Sequence, residues 1–290
     1  MSGPLTSGPL TSGPLTSGPL VSADTLRELL AAEHPPAVLD VRYRMGGPPG
    51  FEEYAEGHVP GAAYVDLDAD LAGPAGDGGR HPLPDPELFN RAMRRSGVGL
   101  ETPVVVYDDW AGHAASRAWW LLRHHGHRDV RVLDGGWSAW LAAGGAVETG
   151  EHDPLPGDFH GVPGSMPVVD AEGAASLAQR GVLVDARAPE RYRGETEPVD
   201  PVAGHIPGAV NHPTAWNLDN HGHFKDAHEL RASYARVGVM PDTEVAAYCG
   251  SGVTACHDVL ALEVAGVRAA LYPGSWSGWI TDPSRTVHRT

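Results

Sequence analysis

The chain carries one series of short motifs twice, and this duplication limits its possible folds more than any other feature. Leu183-Val184-Asp185-Ala186-Arg187 echoes Leu39-Asp40-Val41-Arg42, and His205-Ile206-Pro207-Gly208-Ala209 echoes His58-Val59-Pro60-Gly61-Ala62. Val245–Cys249 echoes Val104–Asp108, and Gly274-Ser275-Trp276-Ser277-Gly278-Trp279 echoes Gly135–Trp140. Echoes that keep their order and nearly one displacement mean two copies of a single unit. Within each copy, short apolar runs alternate with helical stretches, the pattern of a parallel sheet covered by helices on both faces. The expected fold class is therefore α/β, with two tandem domains over residues 21–149 and 165–290. Between them, residues 150–164 are rich in Gly and Pro and read as a linker. A chain of 290 residues holds two such domains comfortably.

The first twenty residues follow a different rule. Met1–Leu20 repeats Ser-Gly-Pro-Leu-Thr, a composition that builds neither helix nor sheet, so a disordered tail is expected over 1–20. Further on, Ser22 is placed to cap a helix running through Ala32. A strand is expected near Ala63–Leu67, and helices over Pro86–Gly97 and Ala114–His125. His124-His125-Gly126-His127 reads as a solvated helix end. The pairs Trp137/Trp140 and Trp276/Trp279 read as core packing at helix starts.

Charge and cysteine usage exclude several classes of function. Against 21 basic residues stand 37 acidic ones, a net charge of −16, which argues against nucleic acid or an anionic membrane as partner. No apolar run reaches the length of a membrane span, and Met1–Leu20 lacks the basic start of a secretory signal. Cys249 and Cys256 would lie about 10 Å apart by helix rise, too far for a disulfide. A chain without a disulfide framework suits the reducing cytoplasm. The 16 histidines form no recognisable metal-ligand spacing, so neither a metal nor any other cofactor is expected.

The two copies diverge where chemistry would occur. In the second, a short strand ends at Cys249, and Gly250-Ser251-Gly252-Val253-Thr254 leads into a helix from Ala255 to Ala265. Backbone N–H groups converge at such a turn and favour negative charge on the sulfur. Gly250 and Gly252 let the loop close tightly. In the first copy, Asp108 occupies the cysteine's position and cannot carry sulfur, so that copy is expected to be inactive by itself and to wall the cleft between the domains. Cys256 reads as a buried packing residue. Thr254 reads either as a helix N-cap or as a contact to the reacting group.

Cys249-Gly250-Ser251-Gly252-Val253-Thr254-Ala255 resembles the active-site loop of the 3-mercaptopyruvate sulfurtransferases, within the two-domain rhodanese superfamily. The His-[Val/Ile]-Pro-Gly-Ala turns and the Gly-x-Trp-Ser-x-Trp segments extend the resemblance from about Val21 to the C-terminus. It implies two rhodanese-like domains and sulfur carried as a persulfide on Cys249. The outer sulfur would be held by the loop from Gly250 to Thr254, including Gly252 and Val253. The resemblance also implies that Ser251 works with Asp68 and His81 of the first domain, Asp66 being the rival carboxylate, and that Arg191 holds the donor's carboxylate. A second family arginine, some nine residues further on, is missing from Glu197-Pro198-Val199-Asp200-Pro201. The loop has no Lys or Arg, which favours a singly charged keto acid over thiosulfate, the alternative donor. The implied acceptor is a small thiol, a thioredoxin-like protein or cyanide. A Cys-dependent phosphatase would need an arginine closing the loop, where this chain has Ala255 and Cys256. A non-enzymatic persulfide-binding module is the remaining alternative.

Overall fold

A computed structural model describes residues 18–290. The first half contains β1 (Leu20–Val21), α1 (Ala23–Leu30), β2 (Ala37–Asp40), α2 (Gly50–Glu56), β3 (Ala62–Tyr64), α3 (Leu67–Asp70), α4 (Pro86–Arg95), β4 (Val104–Tyr107), α5 (His113–His124), β5 (Val130–Leu133) and α6 (Gly136–Ala142). The second contains α7 (Ala171–Arg180), β6 (Val182–Asp185), α8 (Pro189–Arg193), β7 (Val210–Asn211), a 3₁₀ turn at Thr214–Asn217, α9 (Ala227–Ala235), β8 (Val245–Tyr248), α10 (Ala255–Val264), β9 (Ala269–Leu271) and α11 (Ser275–Trp279).

Two parallel sheets result, ordered β1-β5-β4-β2-β3 and β7-β6-β8-β9. Without β1 they share one order, and their registers match: Asp40 lies opposite Tyr107, and Asp185 opposite Tyr248. Side-chain alternation explains why both faces are covered. Val104 and Val106 join one apolar cluster, while Val105 and Tyr107 join another on the opposite face. In the second sheet, Val245 and Ala247 point one way, and Ala246 and Tyr248 the other. The fold is therefore the expected α/β duplication.

The halves share a core. One cluster contains Trp119, Trp120 and Leu122 of α5 together with Val259, Leu260 and Leu262 of α10. These two helices face each other and bring the C-terminal ends of both sheets to a common seam. Residues 150–164 contain no helix or strand. They are strapped along α4, where Asn90 exchanges hydrogen bonds of 3.0 Å with Gly161 and Arg94 donates to the Phe159 carbonyl at 2.9 Å.

Several local expectations need correction. Leu20 is not part of a tail: Leu20–Val21 pairs with β5, and Val132 N–H donates to the Pro19 carbonyl. The rest of the expected tail, residues 1–17, lies outside the described residues. The strand expected at Ala63–Leu67 ends at Tyr64, because Asp66 accepts from the N–H groups of Asp68 and Ala69 and starts α3. α1 is capped by Ser22 as expected but ends at Leu30. His124, His125 and His127 are buried, with ring nitrogens on the carbonyls of Met166, Leu121 and Gly99, because the linker and its flank cover this helix end. Burial pushes all three rings below the ordinary histidine range.

Both halves anchor the loop after their first buried strand with an Asp–Arg pair. Arg42 binds Asp40 and the Gly57 carbonyl, each at 2.6 Å, and Arg187 binds Asp185 at 2.6 Å and the Gly204 carbonyl at 2.7 Å. Arg42 and Arg187 thus have the same structural role in the two halves. Asp40→Ala leaves the Arg42 guanidinium buried without its carboxylate, and it is expected to cost about 3–5 kcal/mol in urea unfolding. An unchanged midpoint would show that Arg42 is held by backbone carbonyls alone.

Candidate active site

Cys249 follows β8 directly. The chain passes from β6 to β7 on one side and returns on the other side of β6 as β8. Cys249 therefore stands at the carboxyl end of a strand where the sheet order reverses, the place where open parallel sheets bind ligands. The turn after it requires glycine. Gly252 has φ +85°, and a Cβ there would lie 2.3 Å from the Pro273 carbonyl oxygen. α11 braces the loop from below, with Trp276 and Ser277 N–H groups donating to the carbonyls of Cys249 and Gly250 at 2.9 Å. Gly252 N–H donates to Cys249 Sγ at 3.1 Å, and Ser275 Oγ accepts from Cys249 N–H at 3.1 Å.

The first half shows what this turn is built to hold. There the Asp108 carboxylate accepts N–H bonds from Trp110, Gly112 and Ala115 at 2.8–2.9 Å. Ser251 and Val253 stand at the positions of Trp110 and Gly112, and their N–H groups have no acceptor among the described residues. The first copy fills its cradle with its own side chain. In the second copy the Ser251 and Val253 amides remain available to a group attached to Cys249, while Cys256 N–H, the counterpart of Ala115, turns to the Val253 carbonyl at 3.0 Å.

Residues of the first half close over this cradle. His81 Nδ1 lies 2.7 Å from Ser251 Oγ, and His81 Nε2 lies 3.1 Å from Asp68 Oδ1. With Nε2–H donating to Asp68, Nδ1 accepts from the Ser251 hydroxyl. Asp66 is committed to capping α3, so Asp68 is the carboxylate that reaches the ring. Burial pushes His81 below the ordinary histidine range; Asp68 pulls it up, while Arg117 and Arg80 push it further down.

Arg191, in the last turn of α8, binds Glu197 at 2.6 Å and Asp200 at 3.3 Å. A Cβ added to Gly250 would lie 3.5 Å from its Nη2, so the guanidinium abuts the loop. Arg193 is a surface residue paired with Glu195. Thr254 makes no capping hydrogen bond. Cys256 is buried, donates to the Gly252 carbonyl at 3.4 Å, and is pushed up to about 12 by burial, which keeps it a thiol. Both cysteines are free. No group of His, Cys, Asp and Glu among the described residues is arranged to hold a metal ion.

Cys249 itself is 1 % exposed. What solvent reaches is the ring of groups around it: His81 at 16 %, Arg191 at 19 % and Arg80 at 29 % of the side chain.

Two cations at the site were not singled out from the sequence. Arg80 adjoins His81 and pairs with Asp200 across the cleft. Arg117 of α5 is fully buried and donates to the carbonyls of Leu71, His81, Pro82 and Gly252 at 3.1–3.2 Å. The signal for Arg117 was present in the sequence, as a lone charge within the otherwise uncharged run Ala114–Leu122. Arg117→Met is expected to lower stability by at least the ~1–3 kcal/mol of one orphaned buried acceptor. Urea unfolding checks this, and an unchanged stability would contradict the assigned contacts.

A sequence model described as the Rhodanese-like domain matches residues 22–143 and 170–282. The chain is 48 % identical over 86 % of its length to a probable 3-mercaptopyruvate sulfurtransferase of Pseudomonas aeruginosa, covering 91 % of that protein. It is 44 % identical over 92 % of its length to a putative thiosulfate sulfurtransferase, SseB, of Mycobacterium tuberculosis, covering 96 % of it. Among solved structures it resembles SseA from Escherichia coli, described as a 3-mercaptopyruvate sulfotransferase, with TM-score 0.79 and 33 % identity over 90 % of this chain and all of that one. Duplicated parallel sheets, a cysteine loop at the sheet's carboxyl edge and these relatives agree: the chain belongs to the rhodanese-like domain family, which it represents twice.

Proposed function

We propose that the protein is a sulfurtransferase that takes sulfur from 3-mercaptopyruvate through a persulfide on Cys249. One observation carries this reading: the amides of Ser251 and Val253, counterparts of the Trp110 and Gly112 amides that hold Asp108, have no acceptors among the described residues beside Cys249, next to the Ser251–His81–Asp68 chain. Relatives named for both donors leave the choice of substrate to the site. The loop lacks cations, but the fold brings Arg80 and Arg191 against it, each paired with a carboxylate, Asp200 or Glu197. Two cations matched by two carboxylates suit a singly charged keto acid better than doubly charged thiosulfate.

In this reading the Cys249 thiolate attacks the donor's sulfur. The S–S bond forms as the C–S bond breaks, and the electron pair passes to carbon as the enolate of pyruvate. The donor's thiol proton passes through Ser251 to neutral His81, which returns it to the enolate carbon. The loop amides hold the outer persulfide sulfur. An acceptor thiolate then attacks that sulfur and releases the Cys249 thiolate. The acceptor is a small thiol, a thioredoxin-like protein or, in the test tube, cyanide. A thiolate cycle without disulfides belongs in a reducing compartment, and the cytoplasm is the proposed location. No helix among the described residues is long and apolar enough to cross a membrane.

Pyruvate release from 3-mercaptopyruvate, measured beside sulfite release from thiosulfate, tests the assignment. The wild type is expected to favour 3-mercaptopyruvate in kcat/KM and to gain the mass of one sulfur on the Cys249 peptide, and Cys249→Ala to do neither. A ratio favouring thiosulfate would overturn the donor, and an unmodified peptide without pyruvate release would overturn the activity.

The pH profile tests the relay. His81 sits below the ordinary histidine range, so it is neutral near pH 7, and acid that protonates it removes the acceptor for the donor's proton. Asp68 raises its proton affinity, so Asp68→Asn is expected to move the acid limb of kcat/KM to lower pH. A limb that stays in place would remove His81 from the proton path.

A further inference from the structure

We infer that Arg80 of the first half and Arg191 of the second together receive the donor's carboxylate, with Asp200 holding both guanidinium groups until the donor arrives. The inference rests on the sulfurtransferase reading and adds a specificity residue supplied by the other half. The geometry at Gly250, next to the reacting cysteine, carries it. A Cβ added there would meet Arg80 Nη2 at 3.0 Å and Arg191 Nη2 and Nη1 at 3.5 and 3.6 Å, so two guanidinium groups converge on one side of the loop. Asp200 bridges them, with Oδ1 on Arg80 and Oδ2 on Arg191. Its side chain is 3 % exposed, while those of Arg80 and Arg191 are 29 % and 19 % exposed. The cations therefore face the approach and the carboxylate lies behind them. Each guanidinium carries more donors than Asp200 and Glu197 take up, which leaves N–H groups for a second carboxylate.

Arg80 is held in place for this role. Its backbone N–H donates to Ser277 Oγ at 3.0 Å, and its neighbour His81 is tied to Ser251. Gly79, with φ +102°, passes so close to α11 that a Cβ would lie 2.7 Å from the Gly274 carbonyl oxygen. The backbone on both sides of Arg80 is thus pressed onto the second half, and its guanidinium has a fixed origin above the loop.

The alternative is that Arg80 only ties the halves together. Arg80→Gln and Arg80→Lys separate the two, using steady-state pyruvate release from 3-mercaptopyruvate and, in parallel, discharge of the preformed persulfide to dithiothreitol, a neutral acceptor. The expected result for Arg80→Gln is a KM for 3-mercaptopyruvate raised about tenfold or more, the worth of a charge-assisted hydrogen bond, with discharge unchanged. Arg80→Lys, which keeps the charge without the fork, is expected to raise KM less. An unchanged KM, or equal impairment of release and discharge, overturns the proposal and leaves Arg80 a tether. If the Gln variant does not fold, the Lys variant carries the same test. A wild type that releases no pyruvate defeats the activity itself, whereas an active wild type with KM unmoved in both variants defeats only the role of Arg80.

Discussion

Arg117 is a fully buried cation that pairs with no carboxylate among the described residues, and the active site is arranged around it. Its guanidinium binds backbone carbonyls only: Leu71, His81 and Pro82 from the first half and Gly252 from the second. Burial lowers its proton affinity. Taking a guanidinium out of water costs several kcal/mol unless its donors are used and its charge is answered. The carbonyls use the donors. A negative charge arriving on sulfur in the same pocket answers the charge. One side chain thus fixes the loop that carries Cys249 relative to the loop that carries His81.

The duplication explains how such a site arose with little new architecture. A turn after the central strand that directs amides at one point is stable when an acceptor sits there, and Asp108 supplies one. With a shorter, softer thiol in that place, the Ser251 and Val253 amides have no acceptor among the described residues. The first copy keeps the stable solution and gives up chemistry. The second accepts incomplete hydrogen bonding, which the proposed persulfide would relieve. The buried pairs Asp40–Arg42 and Asp185–Arg187 show the opposite behaviour, since both copies retain them where only the fold is served.

What was legible from the chain follows from this division. The repeated strands, their parallel pairing and the Cys249 loop appear as local patterns, because strand alternation and turn glycines leave a mark in a few consecutive residues. Ser251, His81 and Asp68 were reachable only through the resemblance, since the contact joins segments 170 residues apart. Arg117 left a mark only as a lone charge within an apolar helix, Arg80 is one arginine in a Gly-rich loop, and only the seam between the halves gives them work. His124, His125 and His127 misled for the same reason, because a helix end that looks solvated in sequence is covered here by the strap from residues 150–164.

The site is therefore a property of the seam rather than of either domain. The second half contributes the sulfur, the cradle and Arg191. The first contributes the His81–Asp68 pair proposed as the proton path, the buried cation and the side chains that surround the thiol. For the proposed reaction, excluding water matters because electrostatic interactions strengthen as the local dielectric falls. A thiol 1 % exposed beneath partly exposed cations fits that need. It also explains why α5 and α10 are packed into one continuous apolar cluster: any slack between the halves would separate His81 from Ser251, a contact of 2.7 Å that leaves no room for an intervening water.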